Sequence, residues 1–232
     1  MRTEEIVATG EWLPHGYGRQ LTDEEIARGV HRDFVGGMWE RLGRLQFEYL
    51  CARGLQPGDR ILDVGCGALR GGIHFIRYLD PGCYYGIDMN ASLLAAGRDA
   101  ELSRAGLTDR NPHLLLNERF EFDRFGVTFP WALAQSVFTH LPVNSIERCL
   151  VNMAAVLEPG GRFYATYFEA PSPHHIDEIE HAGGAVTFSD ANPFHYHFSV
   201  FGYLVRDLPL SVSNIGPWNH PRSQHMLEFV RV

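Results

Sequence analysis

Ile61-Leu62-Asp63-Val64-Gly65-Cys66-Gly67-Ala68-Leu69-Arg70-Gly71-Gly72 is an apolar run that meets an acid and opens into a glycine-rich turn. The run has the composition of a strand, and Gly65 and Gly67, lacking a Cβ, let the backbone after it pass close to a ligand. Gly71 and Gly72 then open a helix able to pack tightly on a sheet. Tyr85-Gly86-Ile87-Asp88 is a second strand closed by an acid, and a carboxylate at that place can accept both hydroxyls of a ribose. Strand, glycine turn, helix, strand and acid together read as a nucleotide-binding βαβ unit. The dinucleotide fingerprint G-x-G-x-x-G is broken, because Arg70 stands where its third glycine belongs. A nicotinamide-dependent oxidoreductase is thereby disfavoured.

Outward from this unit the alternation of strand and helix continues, the mark of a doubly wound, mostly parallel α/β sheet of Rossmann-like type. Strands are expected at Arg60–Val64, Tyr84–Asp88, His113–Asn117, Trp131–Ser136 and Gly161–Phe168. Ile146, Leu150, Met153 and Leu157 share one face of a helix over Asn144 to Leu157, which Glu158-Pro159-Gly160-Gly161 ends. Upstream, a short acidic helix is expected near Asp23–Ala27. Val35, Met38, Leu42, Leu45 and Tyr49 keep three-and-four spacing and predict one amphipathic helix ending near Arg53-Gly54. Ala170–Pro193 holds three prolines, tandem glycines and three histidines, too irregular for an ordinary crossover, and predicts an insertion acting as a mobile lid. A helix over Ser199–Arg206 and strands at Leu210–Asn214 and His225–Val232 follow. The expected organisation is a single domain over 1–232, with an N-terminal helical extension at 1–55 and the core at 56–232.

Composition narrows the function. With 28 acidic and 20 basic residues the formal net charge is −8, which argues against a nucleic-acid partner. The basic residues are all arginine, so no lysine can serve as nucleophile or base. Cys51, Cys66, Cys83 and Cys149 lack the CxxC spacing of a zinc site and fit a reducing compartment. No apolar run approaches the length of a membrane span, and the opening residues lack the layout of a signal peptide. A cytoplasmic protein is expected.

Residues Gly58 to Phe168 resemble the class I S-adenosylmethionine-dependent methyltransferases. Ile61–Gly67 is similar to their first motif, including Asp63 ahead of the glycines, and Asp88 to the acid closing their second strand. Gln135-Ser136-Val137-Phe138-Thr139-His140-Leu141-Pro142 is similar to the fourth-strand segment of the small-molecule branch, and Leu157–Phe163 resembles the turn into the fifth strand. The resemblance implies a seven-stranded sheet closed by an antiparallel hairpin, S-adenosylmethionine as cofactor and S-adenosylhomocysteine as product. It implies that Asp63, Gly65, Cys66 and Gly67 lie near the methionine part and Asp88 with Met89 at the ribose. Adenine falls within Glu118–Phe122, where Phe120 sits, and Gln135, in the fourth-strand segment, also contacts the cofactor. Two departures stand out: no single acid marks 118–122, and Pro130-Trp131 replaces the aspartate that often opens the fourth strand. The signatures of DNA amino-methyltransferases, metal-dependent catechol enzymes and protein-arginine enzymes are absent. A small-molecule O-methyltransferase remains, with an N-methyltransferase or a non-catalytic cofactor-binding module as alternatives. The stretch from Phe34 to Leu50 and the Gly67–Gly72 turn resemble bacterial sugar O-methyltransferases, such as those of methylated mannose polysaccharide synthesis. That finer resemblance implies a sugar or oligosaccharide acceptor, a mannoside, with neither nucleic acid nor membrane as partner. A homo-oligomer is compatible with it, and a metal requirement is left open.

Methyl transfer to a hydroxyl asks for alignment and for a base. His140 follows the fourth strand at the carboxyl edge of the sheet and either takes the proton or caps the next helix. Glu169, just past the fifth strand, is the second candidate. Arg70 either holds the cofactor carboxylate or lies on the surface. Tyr17, Trp39 and Tyr196 offer flat faces for an acceptor ring, and His195 and His197, flanking Tyr196, offer polar contacts or a pair of metal ligands.

Overall fold

The computed structural model describes residues 17–232. Helices α1 (Asp23–Ala27), α2 (Val30–Phe34) and α3 (Trp39–Ala52) precede the sheet. Then come β1 (Ile61–Val64), α4 (Gly72–Tyr78), β2 (Tyr84–Asp88) and α5 (Ala91–Ala95), which runs through a π-helical turn at Ala96–Glu101 into α6 (Leu102–Ala105). β3 (His113–Leu116), β4 (Phe129–Ala134), α7 (Val143–Val156) and β5 (Leu157–Glu169) continue the alternation. Beyond them lie β6 (Ile179–Glu180), β7 (Val186–Thr187), β8 (His195–Tyr196), α8 (Ser199–Val205), β9 (Leu210–Pro217) and β10 (His225–Arg231).

The main path of the sheet runs β3-β2-β1-β4-β5-β10-β9, with β8 beside the end of β5. β1 pairs in parallel with β2, Ile61 opposite Tyr84, and with β4, Ile61 opposite Trp131. β10 is antiparallel to both β5 and β9. The mixed Rossmann-like sheet and helical N-terminal region are those expected. All four residues of β1 are buried, which is why a continuous apolar run reads as a central strand covered on both faces. One face carries α7 and α8, with Phe138, Ile146, Leu150, Met153, Phe163 and Phe201 in one core cluster. The other carries α3 and α4, with Leu50, Phe75, Ile76, Tyr84 and Tyr164 in a second. Chain order reverses between β1 and β4, so the crevice at their carboxyl ends is where such sheets bind ligands.

Three expectations change. The helix read from Val35 starts only at Trp39, because Gly36, Gly37 and Met38 take φ of 91°, 63° and 47° and turn the chain, and a short separate helix, α2, precedes that turn. Glu158 to Gly161 do not end α7 ahead of a strand. They loop out within β5, whose Leu157 pairs with Phe129 while Arg162 already pairs with Trp131. The insertion is built structure: β6 and β7 form a hairpin, His181 Nε2 and Thr187 Oγ1 lie 2.8 Å apart, and Phe194 N–H donates to the Thr139 carbonyl at 2.7 Å.

The extension is pinned to the core at Glu101, 3% exposed. Its carboxylate accepts from Arg32 Nε and Nη2 at 2.9 and 2.7 Å and from Arg104 Nη1 at 2.6 Å, with His31 Nε2 at 2.7 Å. Burial alone would raise its pKa, but these donors outweigh it and hold the group lowered and ionised. Among the described residues, no helix is long and apolar enough to cross a membrane.

Candidate active site

A cavity of about 400 Å³ opens at the carboxyl ends of β1 and β4. Asp63, Gly65, Cys66, Gly67, Arg70, Asp88, Met89, Phe120 and Gln135 all line it, and so do Tyr17 and His140. The fold brings these sequence-predicted residues around one cavity. Gly65 has φ of 70°, and a Cβ there would lie 2.6 Å from Val137 Cγ2, so the loop is open to a ligand only as glycine.

The two acids of the floor are held differently. Asp63, 3% exposed, accepts the Tyr84 hydroxyl on Oδ2 at 2.6 Å. Burial pushes its pKa up to about 7, partly countered by the Tyr84 bond. Asp88 accepts the Gly67 and Asn90 backbone N–H groups at 2.8 Å each and the Tyr17 hydroxyl at 3.2 Å. Burial raises its pKa while those donors oppose the rise. The Met89 backbone N–H also donates to it, so four donors surround the carboxylate. Gln135 Oε1 is buried without a partner, an orphan that a bound donor would satisfy. A pocket with an orphan acceptor on Gln135, two buried acids at strand ends and a glycine floor fits an adenosine and an amino-acid ammonium.

His140 stands on the far side. Its Nδ1 donates to Asn192 Oδ1 at 2.7 Å, which leaves the Nε2 lone pair without a partner among the described residues. Burial lowers its pKa, with Arg222 adding to the effect, so the ring is neutral at pH 7.

The remaining candidates lie elsewhere. Glu169 accepts the Tyr167 hydroxyl, Phe198 N–H at 3.0 Å and Asn214 Nδ2 at 3.0 Å, which ties β5 to α8 and β9 outside the cavity. Trp39 packs edge-on to His31 beneath Arg32. His195 is buried beside Thr187 at 3.0 Å, the Tyr196 hydroxyl donates to the Leu141 carbonyl at 2.7 Å, and His197 lies 2.8 Å from Ser199 Oγ. His195 and Tyr196 pair with the end of β5, His197 follows them, and none of the three lines the cavity. Among the described residues, no group of three or more His, Cys, Asp or Glu is arranged to hold a metal.

Sequence reading missed Arg222 and Gln224, which reach the cavity from the β9–β10 connection. Gln224 Oε1 accepts from Thr166 Oγ1 at 2.7 Å and Ser136 Oγ at 3.0 Å. The signal was the polar run Asn219 to Gln224 in a connection longer than a tight turn.

The strand order, the acid-and-glycine loop of β1 and the acid closing β2 define the class I S-adenosylmethionine-dependent methyltransferase fold. The sequence resembles that superfamily as well: a family described as a methyltransferase domain matches residues 62–163. A demethylmenaquinone methyltransferase of Symbiobacterium thermophilum is 31% identical over 166 residues, 68% of this chain and 60% of the relative. The chain thus spans about three fifths of that protein's length. Among solved structures, magnesium protoporphyrin IX methyltransferase of Synechocystis with bound S-adenosylmethionine has a TM-score of 0.59 at 16% identity, covering 93% of this chain and 88% of its own. An amino pentose methyltransferase of Micromonospora echinaspora, involved in calicheamicin biosynthesis, also has a TM-score of 0.59 at 16% identity, covering 91% and 98%.

Proposed function

We propose that this chain transfers a methyl group from S-adenosylmethionine to a hydroxyl of a small polar acceptor, with a sugar-sized molecule as the leading class. The observation that carries the proposal is His140: a neutral imidazole with a free Nε2 faces the same cavity as the cofactor loop. The cofactor supplies a methyl carbon already activated by its sulfonium. Asp63 would meet the methionine ammonium, Arg70 the carboxylate and Asp88 the ribose, while Phe120 borders the adenine end. His140 Nε2 accepts the proton of the acceptor hydroxyl as it attacks, and Asn192 fixes the tautomer that allows this. Val137, packed over Gly65, and the cavity wall exclude water from the reacting atoms.

One relative is a demethylmenaquinone methyltransferase, and a base at His140 would also serve an acidic carbon. The test is incubation with methyl-labelled cofactor and a panel of sugars, phenols and amines, with the product's new bond identified by mass spectrometry. Label on oxygen supports the proposal, and label on carbon or nitrogen replaces it. Tight cofactor binding with no transfer across the panel assigns a binding module instead.

A further inference from the structure

Arg222 comes from the β9–β10 connection and Arg70 from the cofactor loop, and the turn between α2 and α3 brings them together. A Cβ on Gly36 would lie 3.2 Å from Arg222 Nη1 and 4.0 Å from Arg70 Nη1, so both cations occupy one patch of cavity wall. Arg70 Nη1 donates to the Val35 and Gly37 carbonyls at 2.8 and 3.1 Å, and Arg222 Nη2 to the Gly36 carbonyl at 3.0 Å. Carbonyls orient a guanidinium without neutralising it. No carboxylate among the described residues lies within ion-pair distance of either arginine. Burial and the charge of Arg222 draw the Arg70 pKa down to about 10, the mark of like charges held together out of water.

The charge count around the cavity is uneven. Asp63 and Asp88 lie on the floor, and Glu118 stands exposed at the adenine rim. The cofactor brings one carboxylate against an ammonium and a sulfonium, so its arrival adds positive charge. Its carboxylate can answer Arg70, its neighbour in the loop, and Arg222 is then left over. Arg222 also stands on the acceptor side. Its Cγ lies 3.6 Å from where a Gly183 Cβ would be, against the same insertion that lends Ala185 and Pro193 to the cavity. Its charge bears on His140.

We propose that Arg222 anchors an anionic group of the acceptor, so that this chain methylates a small molecule carrying a carboxylate or a phosphate, seated with its reacting atom at His140. This rests on the methyltransferase reading above. A guanidinium with unused N–H donors matches the two oxygens of either anion, and the half-buried site makes such a bond stronger than in bulk water.

Two measurements decide it. With the protein saturated in S-adenosylhomocysteine, which occupies the cofactor carboxylate site, melting is followed in inorganic phosphate, in acetate and in chloride at equal ionic strength. Phosphate or acetate is expected to raise the midpoint over chloride, Arg222→Gln to abolish the rise, and Arg222→Lys to keep part of it. The anion that stabilises identifies the group. No stabilisation by either, or an equal response in Arg222→Gln, overturns the assignment. Transfer of labelled methyl is then compared for mannose 6-phosphate against mannose and 4-hydroxybenzoate against its methyl ester. The charged member of a pair should be preferred about 10- to 100-fold in kcat/KM, with the preference lost in Arg222→Gln. Equal use of charged and neutral members overturns the proposal. Anion binding without transfer to any acceptor leaves Arg222 as an anion site and refutes the methyltransferase reading alone.

Discussion

Asp63→Asn isolates the most unusual group in the site. The carboxyl sits at the end of β1, 3% exposed, with the Tyr84 hydroxyl on Oδ2 at 2.6 Å, and burial lifts its pKa from 3.8 to about 7. That rise corresponds to ~4 kcal/mol against the carboxylate in the free protein. The folded form holds a proton that the unfolded chain has already lost, so this group's contribution to stability falls as pH rises between about 4 and 7 and is level above. An asparagine keeps an acceptor for Tyr84 and removes the charge. The variant should therefore gain on the wild type by ~1.4 kcal/mol for each pH unit across that window, and the gap should stop widening above it. Urea unfolding at about pH 4.5, 6 and 8, at one ionic strength, measures the gap. The same carboxyl should lose its proton when an ammonium arrives. Calorimetric titration with S-adenosylhomocysteine near pH 6, in two buffers of different ionisation enthalpy, should show up to ~1 proton released by the wild type and none by the variant. A stability gap that stays constant with pH would show Asp63 ionised throughout and refute the reasoning.

Three further outcomes are expected. His140→Asn should lower turnover by ~10²-fold while leaving cofactor affinity unchanged; because burial lowers the His140 pKa, the acid limb of wild-type activity should fall at lower pH than for an exposed imidazole. Glu169→Gln should cost ~1–3 kcal/mol in urea unfolding, because its one remaining oxygen can accept from only one of Phe198 and Asn214, with turnover per folded molecule unchanged; a loss of turnover larger than the loss of fold would return it to the active site. Gly65→Ala should destabilise by ~1–3 kcal/mol and abolish cofactor binding, and adding Val137→Ala should relieve the 2.6 Å clash without relieving the φ of 70°, so that rescue in melting is partial.

The sheet was legible because each central strand is a short apolar run bounded by an acid, a glycine or a proline, signals that local chemistry writes directly into the chain. The floor of the cavity was legible for the same reason, since Asp63, Gly65, Gly67 and Asp88 all sit at or just past strand ends. The late start of α3 was hidden because the three-and-four apolar spacing already begins at Val35 and Met38, and a glycine pair does not announce its own φ. Arg222 was hidden by distance along the chain: it joins Gly36 from 186 residues away. The placement of His195, Tyr196 and His197 outside the cavity lining was not legible, because aromatic and imidazole groups at a strand end serve packing as readily as recognition. The short β8 that pairs His195 and Tyr196 with β5 carries too few residues to show a period.

The buried Glu101 carboxylate bears on how this domain can be divided. Cutting the chain near residue 55 would leave Glu101 in the core without His31 and Arg32, and would remove the carbonyls of Val35, Gly36 and Gly37 that steer both cavity arginines. Grafting residues 56–232 onto the extension of another methyltransferase would carry over the floor of the site and lose its wall. A chimera meant to exchange acceptor preference therefore has to move residues 17–52 together with the β9–β10 connection, as a single inherited part in two pieces of sequence.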